Sequence, residues 1–171
     1  MAHGSKLVKV VLIAHGSWLM AQSLSMTIFS DEYFMQQALK EAQKAADADE
    51  VPVGAVVVWN NRIIARVHNQ TEQLNDVTAH AEIIAITAAT QHIGSKYLDE
   101  CTLFVTLEPC AMCAGALAWS QLKRLVYGAS DYKRGFMRFG KEMLHPKTIV
   151  ELGICEAECG ELMTNFFKKK R

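Results

Sequence analysis

The stretch Thr102-Leu103-Phe104-Val105-Thr106-Leu107-Glu108-Pro109-Cys110-Ala111-Met112-Cys113 runs from a strand into a helix and carries a pair of thiols at the junction. Its first half is an apolar run of strand length, and Pro109 suits the opening of a helix that ends near Gln121. Cys110 and Cys113 stand three apart, so both sulfurs fall on one side of that helix's first turn. A helix N-terminus also favours thiolate, the form that binds metal.

The flanking segments extend the pattern. Ser30 is placed to cap a helix over 31–48, whose apolar stripe is Phe34, Ala38, Ala42 and Ala45. A β-branched run follows over 53–59, and Asn60-Asn61 suits the left-handed positions of a two-residue hairpin turn. Ile63, Ala65 and Val67 alternate along the returning strand. Thr78 is placed to cap a second helix over 79–93, with Gly94 as its stop. Beyond the quoted stretch come short strands over 125–127 and 148–152, then a last helix over 156–167. This order predicts an α/β fold, a five-stranded sheet with helices on both faces.

The chain has 171 residues, 50% hydrophobic and 21% charged, which suits one globular domain and excludes a disordered chain. No apolar run reaches the about 18 residues that a membrane span needs. Eighteen cations balance 18 anions, so net charge gives no general attraction to nucleic acid. The distribution is uneven, however. Over 31–50 two cations face six anions, whereas over 121–147 seven cations face two anions, with Phe136 and Phe139 interleaved. The chain ends Phe166-Phe167-Lys168-Lys169-Lys170-Arg171. Such a second half reads as a phosphate-tracking surface or as solvated charge. The five cysteines form no regular framework, which argues for reduced thiols, with Cys101, Cys155 and Cys159 read as core.

Residues 1–29 read differently from the rest. Lys6 and Lys9 precede an apolar run, Val10 to Ala14, that His15-Gly16-Ser17 interrupts, too early for a secretory signal. We treat 1–29 as a leader or upstream extension outside the fold, with Met26 a candidate natural start, and 30–171 as a single domain. Cytoplasm is the default location.

Thr78-Ala79-His80-Ala81-Glu82 supplies the partner of the two cysteines. Two thiolates and one imidazole suit a tetrahedral zinc whose fourth position stays open for water. On a regular helix His80 and Glu82 point about 200° apart. Both reach one place only if it lies off the helix N-terminus, with His80 in the first turn. Two helix ends must then converge on one ion, with Glu82 beside it as a proton carrier and not a ligand. A closed structural zinc site would want a fourth Cys or His, and a redox pair would leave His80 and Glu82 idle. His68, His92 and His145 lack ligand spacing.

With these motifs the chain resembles the cytidine deaminase superfamily, and within it the bacterial tRNA-specific adenosine deaminases. The resemblance runs from about Asp31 to the end, through Val51-Pro52-Val53-Gly54-Ala55-Val56, the His80 and Cys110 motifs, and Phe166-Phe167. It implies a three-layer α/β/α sandwich with a mixed sheet, a homodimer, one zinc per subunit, and hydrolysis of adenosine to inosine at the wobble position of a tRNA anticodon. Carried over, His80, Cys110 and Cys113 bind zinc. Glu82 takes a proton from the attacking water and returns protons to N1 and the leaving amine. Asn69 matches a nucleotide-binding asparagine, its other reading being a turn residue. Asp131 matches a position near the anticodon loop, where it accepts from a 2′-hydroxyl or merely makes a turn. The Ala81 N–H is a candidate donor to the base.

Residues 133–147 depart from the resemblance, being shorter than in many relatives and carrying Phe136-Met137-Arg138-Phe139. Here Arg134 and Arg138 are read as phosphate contacts. Phe136 or Phe139 stacks on a base, lines the dimer seam, or packs in the core. The alternative activity is deamination of a free base or nucleoside, such as guanine or cytosine, at the same metal centre. A zinc protein that only binds RNA is the third reading, and the presence of Glu82 speaks against it.

Overall fold

Ser30 caps the first helix, α1 (Asp31–Asp47), its hydroxyl oxygen accepting the Tyr33 N–H at 3.2 Å. The computed structural model describes residues 29–170, so the leader lies outside the described residues except for Phe29. The Phe29 ring stacks on Tyr33 with centroids 4.2 Å apart and meets Phe34 edge-on at 6.0 Å. That contact across the cap is a hydrophobic staple, which sets the angle at which the chain enters α1. Phe29 therefore packs with the fold.

A hairpin follows, β1 (Gly54–Trp59) and β2 (Arg62–His68), turned by Asn60 and Asn61 at φ 48° and 58°. Its conformation is the one the Asn pair predicts. Then come α2 (Ala81–Ile93), β3 (Thr102–Leu107), α3 (Ala111–Trp119), β4 (Arg124–Ala129), β5 (Ile149–Leu152) and α4 (Glu156–Lys169). The five strands form one mixed sheet in the order β2-β1-β3-β4-β5. β1 is antiparallel to both β2 and β3, while β3, β4 and β5 run parallel.

Alternation along the strands makes the three layers. Val56, Val58, Phe104 and Val126 point to one face and pack with Phe34, Met35 and Ala38 of α1 and Cys159 of α4. Ala55, Val57, Leu103, Val105, Leu125 and Tyr127 point to the other, against Ala81, Ala85 and Ala89 of α2 and Ala114 and Leu117 of α3. Because β1 opposes both its neighbours, β2 runs the same way as β3, β4 and β5. Four carboxyl ends thus share one edge of the sheet, where an α/β fold places ligands.

Several helix boundaries differ from the sequence reading. α2 starts at Ala81 with His80 as its cap, not at 79 behind Thr78. Thr78 is withdrawn by Asp76, whose Oδ1 accepts its N–H at 2.8 Å and its hydroxyl at 2.7 Å. α3 starts at Ala111 behind Cys110, so Pro109 precedes the cap, and it ends at Trp119 rather than near Gln121, which takes φ 55°. α4 continues to Lys169. Two single-turn 3-10 helices, Phe136–Arg138 and Lys141–Met143, occupy the basic stretch. Among the described residues no helix is long and apolar enough to cross a membrane.

Candidate active site

His80 and Cys110 hold the same place on two helices. Each is the N-cap residue with extended backbone (φ −68°, ψ 151° and φ −73°, ψ 172°), and neither side chain caps its own helix. A cap side chain leaves the helix end instead of its flank, so both project off the N-termini of α2 and α3. Cys113 follows one turn into α3. His80 Nδ1 lies 3.7 Å from Cys110 Sγ and 3.5 Å from Cys113 Sγ. A tetrahedral ion with bonds of about 2.3 Å to sulfur and about 2.0–2.1 Å to nitrogen would separate such ligands by about 3.6 Å. The three side chains therefore fit a metal without rearrangement. Among the described residues these three form the group whose ligand atoms lie within 4.8 Å of one another, and no fourth protein ligand closes it.

The protons on this triad are held in common. A hydrogen bond from Cys113, then one from His80, pulls the Cys110 thiol down to about 4 against the opposing effect of burial. Its bond to Cys110 and its burial hold Cys113 well above the ordinary thiol value. His80 is raised, chiefly by its hydrogen bond to Cys110. A cation that takes the place of these protons releases them, and the two thiolates then cancel its charge.

Glu82 lies in the first turn of α2, buried, beside the triad and not part of it. Burial, the largest influence, pushes its carboxyl above the ordinary value, while its own backbone N–H and the His80 charge draw it down. The carboxyl also reaches the Cys113 thiol. Ala81 opens α2, and its N–H has no backbone carbonyl partner among the described residues, as expected at a helix start. His68, His92 and His145 stand outside the ligand group.

Two buried carboxylates that the sequence reading passed over hold the walls of this site. Glu108, between β3 and Pro109, accepts the Asp131 N–H and the Met137 N–H, each at 2.9 Å. Phe136 N–H donates to the Pro109 carbonyl at 3.0 Å, so the segment after β4 is fastened to the one that carries Cys110. A Cβ at residue 135 would stand 2.2 Å from the Glu108 carboxylate, so a larger residue than glycine there requires that side chain to shift. On the other side Glu50, between α1 and β1, is 1% exposed and gathers the loop after β2, including Asn69. Burial alone would raise its carboxyl, but hydrogen bonds from Gln73, Glu72, Thr71 and Asn69 together hold it below the usual value. Each acid sits beside a proline-containing turn at a sheet end, and nothing in the local pattern tells it from a surface acid.

The remaining sequence-predicted residues divide. Asn69 is buried at the end of β2, and the next residue, Gln70, donates its N–H to the Ala79 carbonyl at 3.0 Å, one residue before His80. Asp131 makes a turn, its Oδ1 accepting the Lys133 and Arg134 N–H groups at 2.9 and 3.0 Å. Arg134 is exposed, and its charge opposes protonation of His80. Arg138 is exposed too, with its guanidinium donating to the Lys133 carbonyl. Phe136 is a correction: it is 0% exposed and packs edge-on against Tyr127 in the core, so it offers no face to a base. Phe139, 64% exposed, is the ring that remains available. At the C-terminal end Phe166 is likewise buried, and Lys170 pairs with Asp49.

Known proteins share both sequence and fold with this chain. The family model described as MafB19-like deaminase matches residues 29–171. A tRNA-specific adenosine deaminase of Agrobacterium fabrum is 45% identical over 144 residues, which is 81% of this chain and 95% of the relative. A solved structure from studies of A-to-I editing by tRNA:A34 deaminases at the wobble position of transfer RNA is also 45% identical. It covers 76% of this chain and 98% of its own, with a TM-score of 0.72. Guanine deaminase of Bacillus subtilis is 38% identical with a TM-score of 0.57, covering 60% of this chain and 66% of its own. The shared fold is the cytidine deaminase-like one that the motifs imply. By the length of the match and the identity carried along it, this chain belongs to the MafB19-like deaminases and, among them, to the family of tRNA-specific adenosine deaminases.

Proposed function

We propose that this protein hydrolyses adenosine to inosine at the wobble position of a tRNA anticodon, with His80, Cys110 and Cys113 as zinc ligands and Glu82 as the proton carrier. The observation that carries this reading is the open triangle of one nitrogen and two sulfurs with a buried carboxyl next to it. Bound there, zinc would act as a Lewis acid and make water a competent nucleophile near neutral pH. Glu82 accepts a proton from the attacking water and gives it to purine N1 as the oxygen bonds to C6; it then carries the proton left on that oxygen to the amine, and the C6–N bond breaks. Water and adenosine are consumed, inosine and ammonia are formed. The Ala81 N–H and the Asn69 side chain hold the flipped nucleotide; Ala81 follows His80 in the chain and Gln70 N–H donates to the Ala79 carbonyl, which keeps both in register with Glu82.

Arg134, Arg138 and Phe139 lie on the Glu108-fastened segment and are the contacts for the anticodon loop, with Asp131 at its root. An Arg138→Ala protein should bind tRNA with a salt dependence shallower by about one unit of log–log slope. An unchanged slope in a filter-binding titration removes Arg138 from the phosphate contacts. The reading also includes a homodimer. Trp119 at the end of α3 is 86% exposed and Met112 on the same helix 40%, an apolar surface that a second copy would cover. A protein acting on tRNA in this way belongs in the cytoplasm.

The deciding assay offers tRNA bearing adenosine at the first anticodon position beside free adenosine, guanine and cytosine. Inosine formed only in the tRNA supports the reading. Ammonia released from a free base instead selects the alternative activity, which the guanine deaminase of similar fold keeps in play.

A further inference from the structure

An amide side chain has two unlike ends: its NH2 donates twice and its carbonyl accepts. At Asn69 both N–H bonds are accounted for, with Nδ2 2.9 Å from Glu50 Oε2 and 3.1 Å from Thr71 Oγ1. The Thr71 hydroxyl donates to the same Glu50 oxygen at 3.2 Å. The other Glu50 oxygen accepts the N–H groups of Glu72 and Gln73 at 2.9 and 2.8 Å. All four partners of Glu50 are donors, and an ionised carboxylate accepts from every one of them. Turning Asn69 over would set its oxygen against that carboxylate, two acceptors facing each other inside the protein. The orientation of the amide is thus dictated by Glu50.

The Asn69 oxygen is what remains. No donor among the described residues is placed on it, and no buried side-chain polar atom there lacks a partner, so this oxygen opens to solvent. Its backbone is held on both sides: Asn69 N–H donates to the Val53 carbonyl at 2.9 Å, and Gln70 N–H to Ala79, next to His80.

We propose that Glu50 is a positioning residue that sets the polarity of the substrate wall, holding the Asn69 carbonyl outward so that it accepts a hydrogen bond from an O–H or N–H of the bound nucleotide. The inference rests on the function proposed above. Glu50 itself never touches substrate. A nucleotide that presents only acceptors toward Asn69 is disfavoured by the same arrangement.

An isosteric swap tests it. In Glu50→Gln the new amide keeps its oxygen on the Glu72 and Gln73 N–H groups and offers its NH2 to Asn69, which turns over and shows a donor to the substrate. We expect kcat/KM for tRNA to fall by about 10–100-fold, mostly through KM. The double variant Glu50→Gln/Asn69→Asp exchanges donor and acceptor between the two positions at constant shape and total charge. An oxygen faces outward again, and activity returns to within about threefold of wild type. A purely structural role for Glu50 predicts no such repair. Hydrogen exchange of the Asn69 side-chain amide, read by NMR, should be slow in the wild-type protein and fast in Glu50→Gln. A wobble 2′-deoxyadenosine substrate identifies the donor. If the Glu50→Gln penalty vanishes on it, the donor is the 2′-hydroxyl, and if the penalty persists, it is an N–H of the base.

Wild-type activity in the Glu50→Gln protein overturns the proposal. So does a loss that the double variant leaves unrepaired, whether or not the single variant folds. If the wild-type protein forms no inosine in tRNA, the functional reading fails on its own, and amide exchange still reports whether Glu50 governs Asn69.

Discussion

Glu82→Gln should form inosine about 10³-fold more slowly than the wild-type protein while keeping its metal and its affinity for tRNA. A positioned acid–base group is worth about 10²–10⁴-fold, so 10³ corresponds to about 4 kcal/mol of lost barrier lowering. The substitution keeps the size and polarity of the side chain and removes only its ability to take up and release a proton. Glu82 is not one of the side chains that bring ligand atoms within 4.8 Å, so the metal content of the purified variant should equal that of wild type. Single-turnover conversion of a saturating tRNA, followed beside elemental analysis, separates the two quantities. A variant within tenfold of wild type takes the proton-carrying role away from Glu82. A variant that has lost its metal makes Glu82 part of the ligand sphere after all.

The second large effect is on stability. Gly54→Ala should cost about 3 kcal/mol, because β1 starts directly beneath α1. A Cβ at residue 54 would stand 2.2 Å from the Ala38 carbonyl oxygen and 2.2 Å from the Ala42 nitrogen, on the helical hydrogen bond that joins them. The helix comes this close because Ala38, Ala42 and Ala45 are all fully buried and small. Neither side can yield cheaply. β1 is paired on both edges, with β2 and β3, and Gly54 N–H donates to Thr106 Oγ1 at 3.1 Å. Thermal unfolding should therefore begin roughly 6–12 °C lower. Gly160→Ala in α4 is the control of opposite sign. Nothing lies within 4 Å of its would-be Cβ, and removing a glycine from a helix interior should stabilise by about 0.5–1 kcal/mol. Equal midpoints for the two variants would show that α1 and β1 are not in the close contact described.

Residues that act through neighbours in the chain were legible without the fold. Ser30 caps α1, Asn60 and Asn61 turn the hairpin, and Gly94 ends α2 in the left-handed conformation at φ 73°. Each follows from the backbone preference of one or two residues. The convergence of His80, Cys110 and Cys113 was legible for a related reason: thiols one helical turn apart, and a histidine two residues from a carboxylate, leave few geometries in which all can serve one centre. Even so, the sequence put His80 in the first turn and gave the cap to Thr78. Asp76 competes for Thr78 across a local turn, and periodicity carries no information about that competition.

The basic stretch shows where local reading stops. Phe136 and Phe139 are alike in type and near in sequence, yet one is sealed against Tyr127 and the other is exposed. Their difference comes from Glu108, which pulls the Met137 N–H inward and so turns Phe136 under. From the amino-acid order alone follow the helices on both faces of the sheet, the Ser30 cap, the hairpin and the grouping of His80, Cys110 and Cys113 that could hold a metal, because each depends on spacings of a few residues and on side-chain chemistry. Only the tertiary structure decides which aromatic faces solvent, which acid holds which loop, and which way the Asn69 amide is turned. Those outcomes depend on hydrogen bonds such as Glu50 to Asn69 and Glu108 to Met137, between groups 19 and 29 residues apart. Such partners come within reach only after the sheet has set its register and the helices have settled on it.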